Sequence, residues 1–198
     1  MPELRDRQAK LARAAILDAL MARLEREDAD ELSMEALAAD AGVSRRTLYR
    51  YFPTRELLYA AAGERIERLL DLPTDVTGGA EGISASFAHA SRQLQRRPAL
   101  ARAMVRSRVG TAVRSPLREK RRAAIEEAVG ETTVDLPVHE SRRAAAVVAH
   151  LCSSATWIDL QDEAHLSPDE SRQAIVWALD TLIGDLRRRQ DHDQRNAS

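Results

Sequence analysis

The chain of 198 residues carries 44% hydrophobic and 31% charged residues, enough for one large domain or two small ones with a real core. Its formal net charge of −1 gives no global sign of a polyanionic partner, so any nucleic-acid contact must come from a local patch. A single cysteine, Cys152, excludes an intrachain disulfide framework, and with no apolar run of about 18 residues a membrane span is not expected.

Alanine, leucine, arginine and glutamate dominate, and no alternating strand pattern competes, so the expected fold class is all-α. A first helix is predicted from Asp6 to Arg26, with Leu11, Ile16, Leu17, Leu20 and Leu24 at helical spacing. Ser33 is placed to cap a short second helix, with Leu32 and Leu37 as a hydrophobic staple. Gly42 supplies a left-handed stop, and Ser44 caps a third helix that ends near Phe52-Pro53. Thr54 caps a fourth, running to about Leu70. The stretch Leu72 to Gly82, rich in Gly and Pro, is a connection. Five further helices are expected at Ile83–Arg96, Pro98–Thr111, Pro116–Val129, Val138–Glu163 and Pro168–Arg189, the last opened by the capping box Ser167-Pro-Asp-Glu170 and followed by a frayed polar tail. The implied division is residues 1–53, a connecting helix at 54–72, and a helical body at 73–198.

The third helix is where chemistry concentrates. Residues 41 to 55 hold four arginines and no acidic residue, and Tyr49, Tyr51, Phe52 and Tyr59 are four of only seven aromatics in the chain. At about 100° per residue, Leu48 and Phe52 share one side, which must face the first two helices. Arg46, Thr47 and Arg50 fall on the opposite side, flanked by Tyr49 and Tyr51. Such a face suits a DNA major groove: arginine donates to guanine acceptors, threonine offers a methyl and a hydroxyl, and tyrosine hydroxyls reach phosphates. Arg55, in the next helix's first turn, is placed to hold the DNA backbone. A solvated surface helix is the plain alternative, but two exposed tyrosines without a partner argue against it.

"RAAILDAL", "LSMEALAADAGVSRRTLYRYF" and "PTRELL", spanning about Arg13 to Leu58, resemble the DNA-binding domain of the tetracycline-repressor (TetR) family. The resemblance implies a three-helix reading head, a connecting helix, an all-helical ligand-binding and dimerisation body, and a homodimer on a palindromic double-stranded operator. It also implies repression relieved when a small-molecule effector moves the connecting helix. Under it, DNA contacts map to Arg45, Thr47, Tyr49, Tyr51 and Arg55. Arg46 stands where the family commonly has a small residue, so the operator sequence is not implied. Arg5, Arg7 and Lys10 could add phosphate contacts, diluted by Glu3 and Asp6.

Two helices of the body are dimerisation candidates. Ile175, Leu179, Leu182, Ile183 and Leu186 form a wide stripe on the last, and Val148, Leu151, Ala155 and Ile158 on the one before. Such stripes equally suit core facing core within one subunit; the family resemblance implies a four-helix dimer bundle. Phe87, Leu94, Met104, Val105, Val109, Leu151, Thr156 and Trp157 are candidate pocket walls for a hydrophobic effector, with plain core packing the alternative. The run Arg114 to Arg122 reads as a solvated face. His150 and Cys152, two apart, diverge on a helix, and no metal or cofactor is expected. No GxSxG, GxGxxG, phosphate loop or paired histidine appears, so an enzyme is not expected. The polar start MPELRDRQAK lacks a signal-peptide core, pointing to the cytoplasm. A constitutive DNA-binding regulator, or an activator without an effector, is the alternative function.

Overall fold

A computed structural model describes the backbone of residues 2–26, 32–73 and 75–197 and the side chains of 6–26, 32–73 and 75–191. The expected end of the first helix beyond Arg26, and the side chains of Glu3 and Arg5, lie outside these residues. Among them the secondary structure is helical throughout, with no strand.

Two compact units emerge, one from Met1–Leu69 with Arg97–Pro116, the other from Leu70–Arg96 with Leu117–Ser198. The first holds α1 (Pro2–Glu25), α2 (Met34–Asp40), α3 (Arg45–Tyr51) and α4 (Arg55–Leu69). A later helix of the chain, Pro98–Arg106, also belongs to it and packs on α1. Ile16, Leu20 and Leu24 of α1 are fully buried together with Leu37, Leu48, Leu58, Ile66 and Leu100. Burying each such side chain contributes roughly 1.5–3 kcal/mol, so this apolar set holds the unit together. Its rim is pinned by Arg23 to Asp40 at 2.6 Å, Arg65 to Asp18 at 2.5 Å and Arg97 to Glu25 at 2.7 Å.

The second unit opens with a 3₁₀ turn at Gly79–Glu81 and α5 (Gly82–Gln95). The helix Pro98–Arg106 is then α6, and α7 (Arg108–Thr132) starts in the first unit and ends in the second. α8 (Val138–Leu151), α9 (Ser154–Asp162) and α10 (Pro168–Ala197) complete it, with α10 packed on α5, α8 and α9.

Several helix boundaries differ from expectation, beginning with α1, which starts at Pro2 rather than Asp6. The expected helix at Pro98–Thr111 instead breaks at Ser107, whose ψ of 152° leaves the helical region and whose Oγ accepts from Gly110 N at 2.9 Å. Gly110 permits this junction because a Cβ there would lie 2.0 Å from the carbonyl oxygen of Ala103. Pro116, expected to open a helix, lies inside the 25-residue α7. The expected Val138–Glu163 helix divides at Cys152-Ser153, where Ser153 takes extended geometry and its Oγ caps Thr156 N at 3.1 Å. The tail from Gln190, expected to fray, continues α10 as far as Ala197. Gln190 itself is buried, accepting from Asp135 N at 3.1 Å and donating to Asp135 Oδ2 at 2.5 Å.

Candidate nucleic-acid interface

Local signals set α2 and α3. Ser33 accepts from Ala36 N at 3.0 Å, and Ser44 accepts from Thr47 N at 3.1 Å, so each helix starts on a serine cap. Between them Gly42 takes φ +64°, Gly42 N donates to Ala39 O and Val43 N donates to Ala38 O, both at 3.0 Å. This pair of bonds is a Schellman stop, which a residue with a Cβ enters only under strain. The result is two short helices joined by a tight turn.

α3 is held from behind. Leu48 is fully buried, Phe52 is 1% exposed, and the Arg13 guanidinium of α1 sits 5.0 Å from the Phe52 ring centre. That fixes the helix's rotation and turns Arg45, Arg46, Tyr49 and Arg50 outward, all exposed, with Thr47 and Tyr51 half-buried at the edges. Tyr49, 37% exposed, lies under the Arg45 guanidinium at 5.6 Å, and Arg50 covers the Tyr51 ring at 4.8 Å while donating to its hydroxyl at 2.9 Å. These cation–π pairs hold both arginines and both rings in defined positions on the surface.

Two of the expected contacts are already engaged within the chain. The Thr47 hydroxyl shares a hydrogen bond with Ser44 Oγ at 2.8 Å, and Arg55 Nη2 donates to the Leu32 carbonyl at 3.4 Å. Arg45 also faces Glu35 at 3.4 Å, with both side chains largely in solvent. At such exposure the pair adds little stability but keeps Arg45 over α2. At the entry to α4, Thr54 Oγ1 accepts from Leu57 N at 3.3 Å. Beside it the Glu56 carboxyl is held below its ordinary value, chiefly by its own backbone N–H and then by the Thr54 hydroxyl.

The candidate dimer residues lie mostly inside the second unit. Val148, Ile158, Ile175, Leu179 and Ile183 are buried within a single chain, while Leu151, Ala155, Leu182 and Leu186 are half-buried. The break at Cys152 also assigns Val148 and Leu151 to α8 and Ala155 and Ile158 to α9. Apolar residues that remain outside on these elements include Val147 at 49% exposure, which helical spacing places in the same stripe as Val148, and Val138 and Trp177, which sequence reasoning passed over.

The candidate pocket residues divide between the two units. Met104, Val105 and Val109 belong to the first unit, and Phe87, Leu94, Leu151, Thr156 and Trp157 to the second. Phe87, Leu94, Met104, Val109 and Trp157 are buried. Trp157 Nε1 donates to Pro168 O at 3.0 Å, and Thr156 Oγ1 donates to His150 O at 2.7 Å, so both serve helix junctions. An open cleft of about 410 Å³ in this unit is lined instead by the α7–α8 corner, including Glu126, Thr133, Ser141 and Arg142. Arg121 departs from the solvated face expected for Arg114 to Arg122: its side chain turns inward and donates to Pro73 O at 2.8 Å. Helical phase carried that signal, since Arg121 stands four and seven positions before the buried Ile125 and Ala128. Among the described residues no cluster of three or more His, Cys, Asp or Glu is placed to hold a metal, and no helix is long and apolar enough to cross a membrane.

The architecture defines an all-helical protein with an N-terminal helix-turn-helix head. Residues 16–62 match the family model for bacterial regulatory proteins of the tetR family. Among relatives, the HTH-type transcriptional repressor KstR of Mycolicibacterium smegmatis is 37% identical over 101 residues, covering 48% of this chain and 49% of its own. The nucleoid occlusion factor SlmA of Idiomarina loihiensis is 32% identical over 102 residues, covering 49% of this chain and 52% of its own. The chain thus spans about half the length of the curated relatives it matches. The fold is shared more widely. NalD, the secondary repressor of the MexAB-OprM multidrug efflux pump in Pseudomonas aeruginosa, superposes over 87% of this chain and 95% of its own with a TM-score of 0.62 at 15% identity. A TetR transcriptional regulator from Rhodococcus sp. RHA1 covers 88% and 97% with a TM-score of 0.56 at 22% identity. The match to the tetR-family model thus falls on the N-terminal domain, α1 to α4.

Proposed function

We propose that the chain is a DNA-binding transcriptional regulator that acts as a repressor, binds an inverted-repeat operator as a homodimer and is released by a small molecule. The observation that carries this reading is the outward face of α3, where Arg46, Tyr49 and Arg50 are exposed while Leu48 and Phe52 lock the helix from behind. A seven-residue helix presented in this way enters a major groove, with arginines on base edges and tyrosine rings alongside phosphates. The match of residues 16–62 to the tetR-family model and the repressor names of the chain's relatives support the direction of control.

Pairing of two chains matches two heads to two half-sites, which gives the operator its twofold symmetry. Exposed Trp177 on α10 and Val147 on α8 supply unpartnered apolar surface for that pairing. The test is selection of duplexes from a random pool by the full chain, with sedimentation of the free protein. An inverted repeat bound by a dimer, with affinity falling steeply as salt rises, is expected. Failure to enrich any duplex, or activity on a substrate without DNA, sinks the reading.

A further inference from the structure

Arg121 of α7 carries a charge with no ion-pair partner among the described residues of the second unit. Its Nη1 donates to Pro73 O at 2.8 Å, while Nε and Nη2 are buried without a hydrogen-bond partner. A buried guanidinium calls for a counter-charge or a full set of acceptors. The nearby Cys152 thiol is no counter-ion: burial pushes it up to about 11, outweighing both the charge of Arg121 and the thiol's polar contact with that guanidinium, so it is neutral at pH 7 and at most a weak acceptor. Leaving two guanidinium donors buried and unmade is costly.

The same region offers a second orphan. His89 of α5 bonds the Asp71 carbonyl through Nε2 at 2.9 Å, as Arg121 bonds Pro73, so residues 71–73 are fastened from α5 and α7. Ser86 stands one turn before His89 on the same side of α5, and its hydroxyl is also buried and unpartnered. Two orphaned donor groups therefore belong to the elements that clasp one short segment.

We propose that Arg121 anchors a carboxylate: its Nε–Nη2 edge takes both oxygens of an organic acid, while Nη1 stays on Pro73 and the Ser86 hydroxyl serves the same headgroup. The two parallel N–H groups of that edge match the spacing of carboxylate oxygens. A monoanion balances the single charge of Arg121, whereas a phosphate group at about −1.5 to −2 would leave charge buried and unpaired. The apolar surroundings that raise Cys152 suit an acid with a hydrocarbon body. This names the effector class within the regulator reading above and depends on that reading for its consequence. Pro73 follows shortly after α4, so an acid held on Arg121 acts on the segment leading out of the helix that follows α3.

Thermal unfolding and calorimetry of the full chain test the site, using straight-chain carboxylates from acetate to dodecanoate and 4-phenylbutyrate as probes. The matching amides and inorganic phosphate are the controls. The expected result is that at least one acid raises the unfolding temperature by about 5 °C near saturation while its amide and phosphate move it by about 1 °C or less. Arg121→Lys, which keeps the charge but loses the fork, weakens that acid at least tenfold, and Arg121→Gln removes the response. The acid-against-amide contrast needs no variant and stands even if one unfolds. Equal effects of acid and amide, a stronger effect of phosphate, no response to any acid, or full response in folded Arg121→Gln overturns the site. Release of the selected duplex by the acid from the unchanged protein, and not from Arg121→Gln, is the regulatory outcome. Acid binding that leaves the duplex bound overturns the effector role, whereas absence of any selected duplex sinks the regulator reading separately.

Discussion

Two stretches with four arginines each, 41–55 and 114–122, meet different fates in the fold. On α3 the arginines at 45, 46 and 50 stay in solvent, two of them laid over tyrosine rings, because Leu48 and Phe52 claim the inner side. On α7, Arg122 pairs with Glu126 at 3.0 Å on the surface, yet its neighbour Arg121 falls in phase with Ile125 and is carried inward. What decides whether an arginine meets water or the interior is its angular position relative to the apolar residues of its own helix, and local charge density is a poor guide.

The comparison breaks most readily at the residues that set these phases. Phe52→Ala removes the rear anchor of α3 and the ring under Arg13, and chemical denaturation should report a loss of about 3–5 kcal/mol. DNA binding should fall with it. Tyr49→Ala leaves the buried side untouched, so stability should stay within about 0.5 kcal/mol while affinity for a selected duplex drops about tenfold in fluorescence anisotropy. Unchanged affinity would remove Tyr49 from the interface. Ser44→Ala deletes the cap on α3 and the partner of Thr47, costing about 1 kcal/mol in unfolding free energy.

The smallest effect sharpens the other side of the comparison. The Cys152 thiol is raised from 9.0 to about 11 in the folded chain, so the unfolded state loses its proton first as pH climbs. Stability from this group is fully present below pH 9 and is lost as pH rises towards 11. The unfolding temperature of the unchanged protein should therefore fall more steeply between those values than that of Cys152→Ala. Parallel slopes would place Cys152 in a wetter environment than its burial implies.

Much of the head was legible because its signals are local. Ser33, Ser44 and Gly42 act on atoms a few residues away, and each performs the capping or turn role that its residue type and spacing dictate. The body was less legible because its boundaries depend on partners distant in sequence. Pro116 resembles a helix start, yet α7 begins at Arg108 because Gly110 lets it approach the backbone of α6. The α10 stripe was readable as apolar, but periodicity alone cannot distinguish burial against the same chain from burial against another. Within the single chain Ile175, Leu179 and Ile183 are buried, while Leu182 and Leu186 stay half-buried.

Pro116 has one more consequence. It has no N–H to give the carbonyl of Ala112, so the hydrogen-bond ladder of α7 lacks a rung at the last residue of the first compact unit. Bending a helical rod stretches its rungs, and one already missing offers no resistance. Among the described residues α7 is the one helix that runs through both units, and it is softest within a turn of the point where it passes from one to the next.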